Sequence, residues 1–123
     1  MSTRAHVSFE YENGIDKKHL ERAALIYCHF DGYPEGPHGL GYRIQEFFKE
    51  VKKQTSDTRF KDPSYLAARF VVFLAKQYIQ ELDKPLSFLG VGVCMKEQSD
   101  IDYLYRINCS KLDPKTGFPE VTH

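Results

Sequence analysis

The sequence predicts a two-layer α+β domain, an antiparallel sheet of four to five strands packed against two helices. Three observations carry this: strict alternation of apolar and polar residues near each end, a helical stripe from Leu40 to Val51, and a long apolar segment opened by Asp62-Pro63. The order read along the chain is β-β-α-α-β-β, with a short edge strand within 111–123. Connections between sequential strands look short, which favours antiparallel pairing. A length of 123 residues fits one domain, 1–123, with enough core to fold without staples.

Residues 5–11 place Ala5, Val7, Phe9 and Tyr11 on one face and His6, Ser8 and Glu10 on the other, the period of a half-buried strand. Asn13-Gly14 signals a turn. After a charged stretch, Ala23–Phe30 reads as an antiparallel partner strand. Four glycines and two prolines within residues 31–41 exclude regular structure there. Leu40, Ile44, Phe47, Phe48 and Val51 then share one helical face. Asp62 can cap and Pro63 suits the first turn of a second helix, expected to run to about Leu82 and to be buried on more than one side around Phe70–Ala75. A third strand is expected over Leu86–Met95, a turn over Lys96–Asp100, and a fourth strand in which Ile101, Tyr103, Tyr105, Ile107 and Cys109 alternate with Asp102, Leu104, Arg106 and Asn108. Asp113–Gly117 is another turn, and Phe118–Val121 the short edge strand.

Composition bounds the function classes. Seventeen basic and seventeen acidic residues give zero net charge, and no basic face suited to generic nucleic-acid binding stands out. No apolar run is long enough to span a bilayer, and no signal-peptide core follows the first residues, so the expected location is the cytoplasm. Cys28, Cys94 and Cys109 form no C-x-x-C pair and read as small buried hydrophobes. No cofactor or metal-site motif is present, and none is expected to be needed.

The segment His29–Gly41 is the expected site. It joins a strand end to a helix start, where backbone N–H groups and the dipole favour an anion and glycines let a ligand approach. It is neither a Walker A nor a Rossmann fingerprint. The candidate ligand-binding residues are His29, Asp31, Gly32, Tyr33, Gly36, His38 and Gly39, joined by Arg4 and Arg106 as bidentate anion contacts. The alternative for each arginine is an ion pair with Asp31, Glu10 or Asp102. For the loop it is a purely structural set of turns, with Tyr33 packed as a lid. Tyr27, Tyr33, Tyr42, Tyr103 and Tyr105 are candidates to reach a surface and contact a partner.

Ser2-Thr3-Arg4, Tyr27-x-His29-Phe30-Asp31-Gly32-Tyr33-Pro34-Glu35-Gly36, His38-Gly39, Leu66-Ala67-Ala68 and Tyr105-Arg106-Ile107 together resemble a group of small bacterial and phage proteins. Members carry a Ser/Gly-Thr-Arg start and an aromatic-Asp-Gly-Tyr-Pro-x-Gly-His-Gly stretch. Here Pro37 separates Gly36 from His38-Gly39. The resemblance implies context rather than a reaction: a small accessory protein of a bacterium, phage or mobile element.

Three functions are therefore expected to compete. The first is a binding module that takes a small anionic ligand or a partner protein through Asp31–Gly39. The second is a counter-defence protein that binds a host protein. The third, ranked last, is a metal-assisted hydrolase using His29, Asp31 and His38. A homodimer through an exposed edge strand, the first or the last, is a further expectation.

Overall fold

Eight residues of alternating character near the N-terminal end, Ala5–Glu12, supply the middle of the sheet, not its rim. In the computed structural model, which describes residues 3–15, 19–54, 57–81 and 90–123, the elements are β1 (Ala5–Glu12), β2 (Leu20–Cys28), α1 (Leu40–Gln54), a 3-10 turn (Asp57–Lys61), α2 (Pro63–Glu81), β3 (Val91–Cys94), β4 (Tyr103–Leu112) and β5 (Pro119–Thr122). The sheet order is β3-β2-β1-β4-β5. The α+β class and the element order are those the sequence predicts. The 3-10 turn is an addition. The first four residues of the expected third strand, Leu86–Leu89, lie outside the described residues.

The sheet is mixed, not antiparallel. β1 pairs with β2, β2 with β3 and β4 with β5 in antiparallel fashion, but β1 and β4 run parallel from Ala5↔Tyr103 to Glu10↔Asn108. The reason is positional. β3 takes the free edge of β2, and β4 takes the free edge of β1, so two strands lie between them. Residues 95–102 are therefore a crossover and not the hairpin turn expected over Lys96–Asp100. Eight residues suffice, because three strand spacings are only about 15 Å. A consequence for assembly follows: the first strand is central and has no free edge, so β3 and β5 are the sheet edges.

One face of the sheet carries the core. Ala5, Val7 and Phe9 of β1, Ile26 and Cys28 of β2, and Tyr105, Ile107 and Cys109 of β4 form one cluster with Leu40, Ile44, Phe47, Phe48 and Val51 of α1 and Leu66, Phe70 and Leu74 of α2. The helical stripe read from the sequence is thus the buried face of α1. Phe70 joins the layers, its ring 5.7 Å from Phe9 and 5.1 Å from Phe47. A second ring group, Phe48, Phe60 and Phe118, closes the other end. Asp62 caps α2, its Oδ1 accepting from the Tyr65 N–H at 3.3 Å.

β1 is not half-buried as its alternation predicts. Residues 5–10 are all buried, including His6, Ser8 and Glu10 on the face away from the helices. Tyr105, a candidate surface residue, is also fully buried, and its hydroxyl donates to the Gly32 carbonyl at 2.6 Å. Burial raises its pKa. Among the cysteines, all free, Cys28 and Cys109 are buried and pushed up to about 12 by desolvation, while Cys94 is half-buried. These two thiols stay protonated and act as apolar packing groups. Among the described residues no helix is long and apolar enough to cross a membrane.

Candidate functional site

The strand-to-helix loop is folded tightly on its own backbone. The Gly32 N–H donates to the Thr3 carbonyl at 2.9 Å, and the Leu40 N–H to the Asp31 carbonyl at 2.8 Å. The Gly41 N–H reaches the Tyr33 carbonyl at 3.5 Å. Two of the helix N-terminal donors expected to face an anion therefore already hold loop carbonyls. The glycines are close-approach residues. A Cβ on Gly32 would lie 2.8 Å from Ala5 Cβ, and one on Gly39 would lie 2.6 Å from the Tyr33 carbonyl oxygen. Asp31 takes a left-handed conformation, φ 55°, which an aspartate tolerates. Asp31, Glu35, Gly36 and His38 are exposed, whereas Gly32 and Gly39 are buried and Tyr33 is half-buried. The exposed rim of the loop thus carries two carboxylates and one imidazole.

His29 stands apart from that rim. Its Nδ1 shares a 2.7 Å hydrogen bond with the Tyr27 hydroxyl, and its ring lies edge-on to Phe30 at 4.6 Å. Among the described residues no three His, Cys, Asp or Glu side chains are grouped so as to hold a metal ion, so His29, Asp31 and His38 form no ligand set.

The face of the sheet opposite the helices is the more structured polar surface. In register across it lie Leu25, Ser8 and Arg106 in one row, and Tyr27, His6 and Leu104 in the next. A register shift after Phe9 pairs Glu10 with Arg22 and makes Ala23 the extra residue. That bulge returns Arg22 to the polar side. The Ser8 hydroxyl donates to Glu10 Oε2 at 2.6 Å and accepts from Arg22 Nε at 2.7 Å. Arg106 grips the same carboxylate with Nε at 3.0 and 3.1 Å and Nη2 at 2.8 Å. The Glu10 side chain is 3% exposed and that of Arg106 is 50% exposed. A buried carboxylate thus orients a guanidinium whose outer edge meets solvent, and the bond to Glu10 raises the Arg106 pKa further.

The crossover runs along this face. Glu97 accepts from Arg22 Nη2 at 3.1 Å, and three residues on, Asp100 pairs with Arg4. The Arg4 N–H donates to Asp102 Oδ2 at 2.9 Å. His6 lies below, fully buried, with neither ring nitrogen hydrogen-bonded. Its nearest ring is Tyr27, edge-on at 6.1 Å. Desolvation lowers the His6 pKa from 6.5, with Arg22 acting in the same sense and Glu97 and Asp100 against it.

The sign of the resulting pH dependence is fixed. The unfolded chain takes up a proton at His6 as the pH falls through about 6.5, while the folded chain resists. Folding stability contributed by the neutral ring is therefore full above that pH and falls below it. Comparing urea midpoints at pH 7.5 and 5.5, His6→Leu is expected to show a smaller acid loss than the parent chain. Equal losses in both would mean that His6 is not the group titrating.

Of the residues expected from sequence, Arg4, His29 and Arg106 thus border the polar sheet face, and Asp31, Gly32, Tyr33, Gly36, His38 and Gly39 form the adjoining loop. Arg106 makes the Glu10 pair foreseen as its alternative. Arg4 pairs with Asp100, which was not foreseen. Ser8, Arg22 and Glu97 were missed, Glu10 was named only as an ion-pair alternative, and His6 only as a polar residue of the first strand. The signal available was the polar set His6-Ser8-Glu10 on one strand, which alternation assigns to solvent. No family model, curated protein or solved structure matches the chain.

Proposed function

We propose that this chain is a small binding protein that takes an anionic group, a carboxylate or phosphate, on the polar sheet face between Arg22 and Arg106. The observation that carries the reading is the buried Glu10 carboxylate, which with Ser8 aims two guanidiniums from different strands at one place. Arginine paired in this way is pre-organised for bidentate contact, so little side-chain freedom is lost on binding. Glu97, 48% exposed, already sits on Arg22 and behaves as an internal anion that a ligand displaces. The unpartnered His6 ring adds a polar group beside the same row.

The test is titration with inorganic phosphate and with succinate, followed by amide chemical shifts. Shifts centred on residues 8, 22 and 106 are expected. Arg106→Gln should weaken binding about tenfold or more, the loss of one charge-assisted contact. Glu97→Gln should strengthen it by freeing Arg22. Anions that shift no residue of this face, or that bind Arg106→Gln equally well, would remove the proposal.

A second reading is favoured by the locked loop. A rigid rim bearing Asp31, Glu35 and His38 suits contact with a polypeptide partner of basic character, because its geometry is set before binding.

A further inference from the structure

The helical layer holds a cleft that neither the loop nor the sheet face involves. It lies between α1 and α2 and encloses about 610 Å³. On α1 it is walled by Phe47 and Val51, and on α2 by Val72 and Phe73. Tyr65, Arg69, Val72 and Lys76 follow one another down α2 at spacings of four, three and four residues, a single line along one helical face. Tyr65 is 64% exposed and Val72 53% exposed, so this line of α2 is left open by the rest of the chain.

The charges in the cleft are unequal. Arg69 and Lys76 contribute two cations and Glu50 one carboxylate, and Glu50 already faces Lys53 at 3.8 Å. Arg69 lies over the Tyr65 ring at 5.8 Å, and its Nη1 is shut off from solvent with no hydrogen-bond partner. A guanidinium nitrogen left in that state gains from any acceptor that reaches it. An apolar trough with an under-satisfied cation along its wall complements a molecule with an apolar body and one carboxylate.

We infer that the α1–α2 cleft is a binding site for an amphiphilic carboxylate, its head group paired with Arg69 and Lys76 and its apolar chain laid against Phe47, Val51, Val72 and Phe73. The size favours a small molecule. Ligand pockets run from roughly 300 to 1,000 Å³. The stretch from Tyr65 to Lys76 is about 16 Å long, and a helix of that length and about 10 Å across fills more than 1,000 Å³. The site is independent of the anion proposal above, because it uses the other layer of the domain.

The probe is dodecanoate below its micelle concentration, added to isotope-labelled full chain, with the dodecyltrimethylammonium cation as the matched control. Saturable shifts confined to residues of the α1–α2 cleft, at one ligand per chain, are expected with dodecanoate and not with the cation. Arg69→Met keeps an apolar side chain and should weaken dodecanoate about tenfold or more. Val72→Glu, at an exposed position, places a repelling charge in the trough and should abolish the shifts. Circular dichroism checks that both variants fold, and the parent-chain map stands by itself if either does not. Shifts spread over the whole surface, equal response to the cation, undiminished binding by a folded Arg69→Met, or no saturable shift at the cleft each overturn the inference. A response only to an acidic peptide would also overturn it and assign the groove to a polypeptide.

Discussion

Gly39→Ala is expected to lower the thermal midpoint by roughly 10 °C or more, although it adds a single methyl group. The added carbon would fall within 2.6 Å of the Tyr33 carbonyl oxygen and closer still to that of Glu35. Both obstacles are backbone, and the backbone cannot step aside. The Gly41 N–H leans on the Tyr33 carbonyl, and the Leu40 N–H holds the Asp31 carbonyl beside it. Relief requires the loop to lift from the start of α1, with loss of those bonds. Overpacking of this kind costs about 3 kcal/mol, and at this chain length each kcal/mol moves the midpoint by roughly 3–5 °C. Gly36→Ala serves as the informative neighbour: its site is open, its φ is +85°, and so its cost is backbone strain alone. If Gly39→Ala melts with the parent chain, the loop is not packed as described, and the exposed rim of Asp31, Glu35 and His38 loses its rigidity.

Phe70→Ala is expected to cost about 3–5 kcal/mol. The ring is fully buried and touches Phe9 on the central strand and Phe47 on the neighbouring helix, so its removal opens a void where three elements meet. Neither β1 nor α1 can collapse into that void without disturbing its own pairing. Urea denaturation gives the measurement, with an unchanged dependence on denaturant showing that the unfolded state is not altered. Val72→Ala, two residues on and facing outward, should change stability by less than about 0.5 kcal/mol. Comparable losses from both would contradict the placement of α2, and with it the cleft proposed between the helices.

Local pattern made much of this legible. The stripe Leu40, Ile44, Phe47, Phe48 and Val51 is the buried face of α1 residue for residue, because helix burial follows a short-range period. Asp62-Pro63 starts α2 for equally local reasons of capping and fixed φ. What escaped was whatever depends on partners distant in sequence. The alternation of β1 looked half-buried because a single strand does not announce that it will be flanked on both sides. Once β2 and β4 both pair with it, His6, Ser8 and Glu10 are covered from each flank, and polar residues thought to face water become a buried network. The parallel pairing escaped for a related reason. Residues 95–102 contain turn-forming side chains, and only the prior occupation of β2's partner edge by β3 makes them span the sheet.

The candidate loop was legible as a loop from its glycines and prolines. Gly32 and Gly39 let the chain pack against itself, at Ala5 and at Tyr33. Arg106 stands out in the sequence because an arginine on the polar side of a strand is conspicuous. Glu10, which positions it, was named only as an ion-pair alternative. The register shift that turns Arg22 toward the same spot has no sequence signature beyond one alanine.

The central position of β1 also bears on the order in which the molecule forms. Its pairing with β4 joins residues as far apart as Ala5 and Tyr103. The strand at the heart of the sheet is thus closed on its second side only by residues nearly a hundred positions later. Such long-range pairing is slow, since a large loop must close before any contact repays it. During synthesis the β1–β2 hairpin has to wait, with one row of backbone donors and acceptors open, until the last third of the chain emerges.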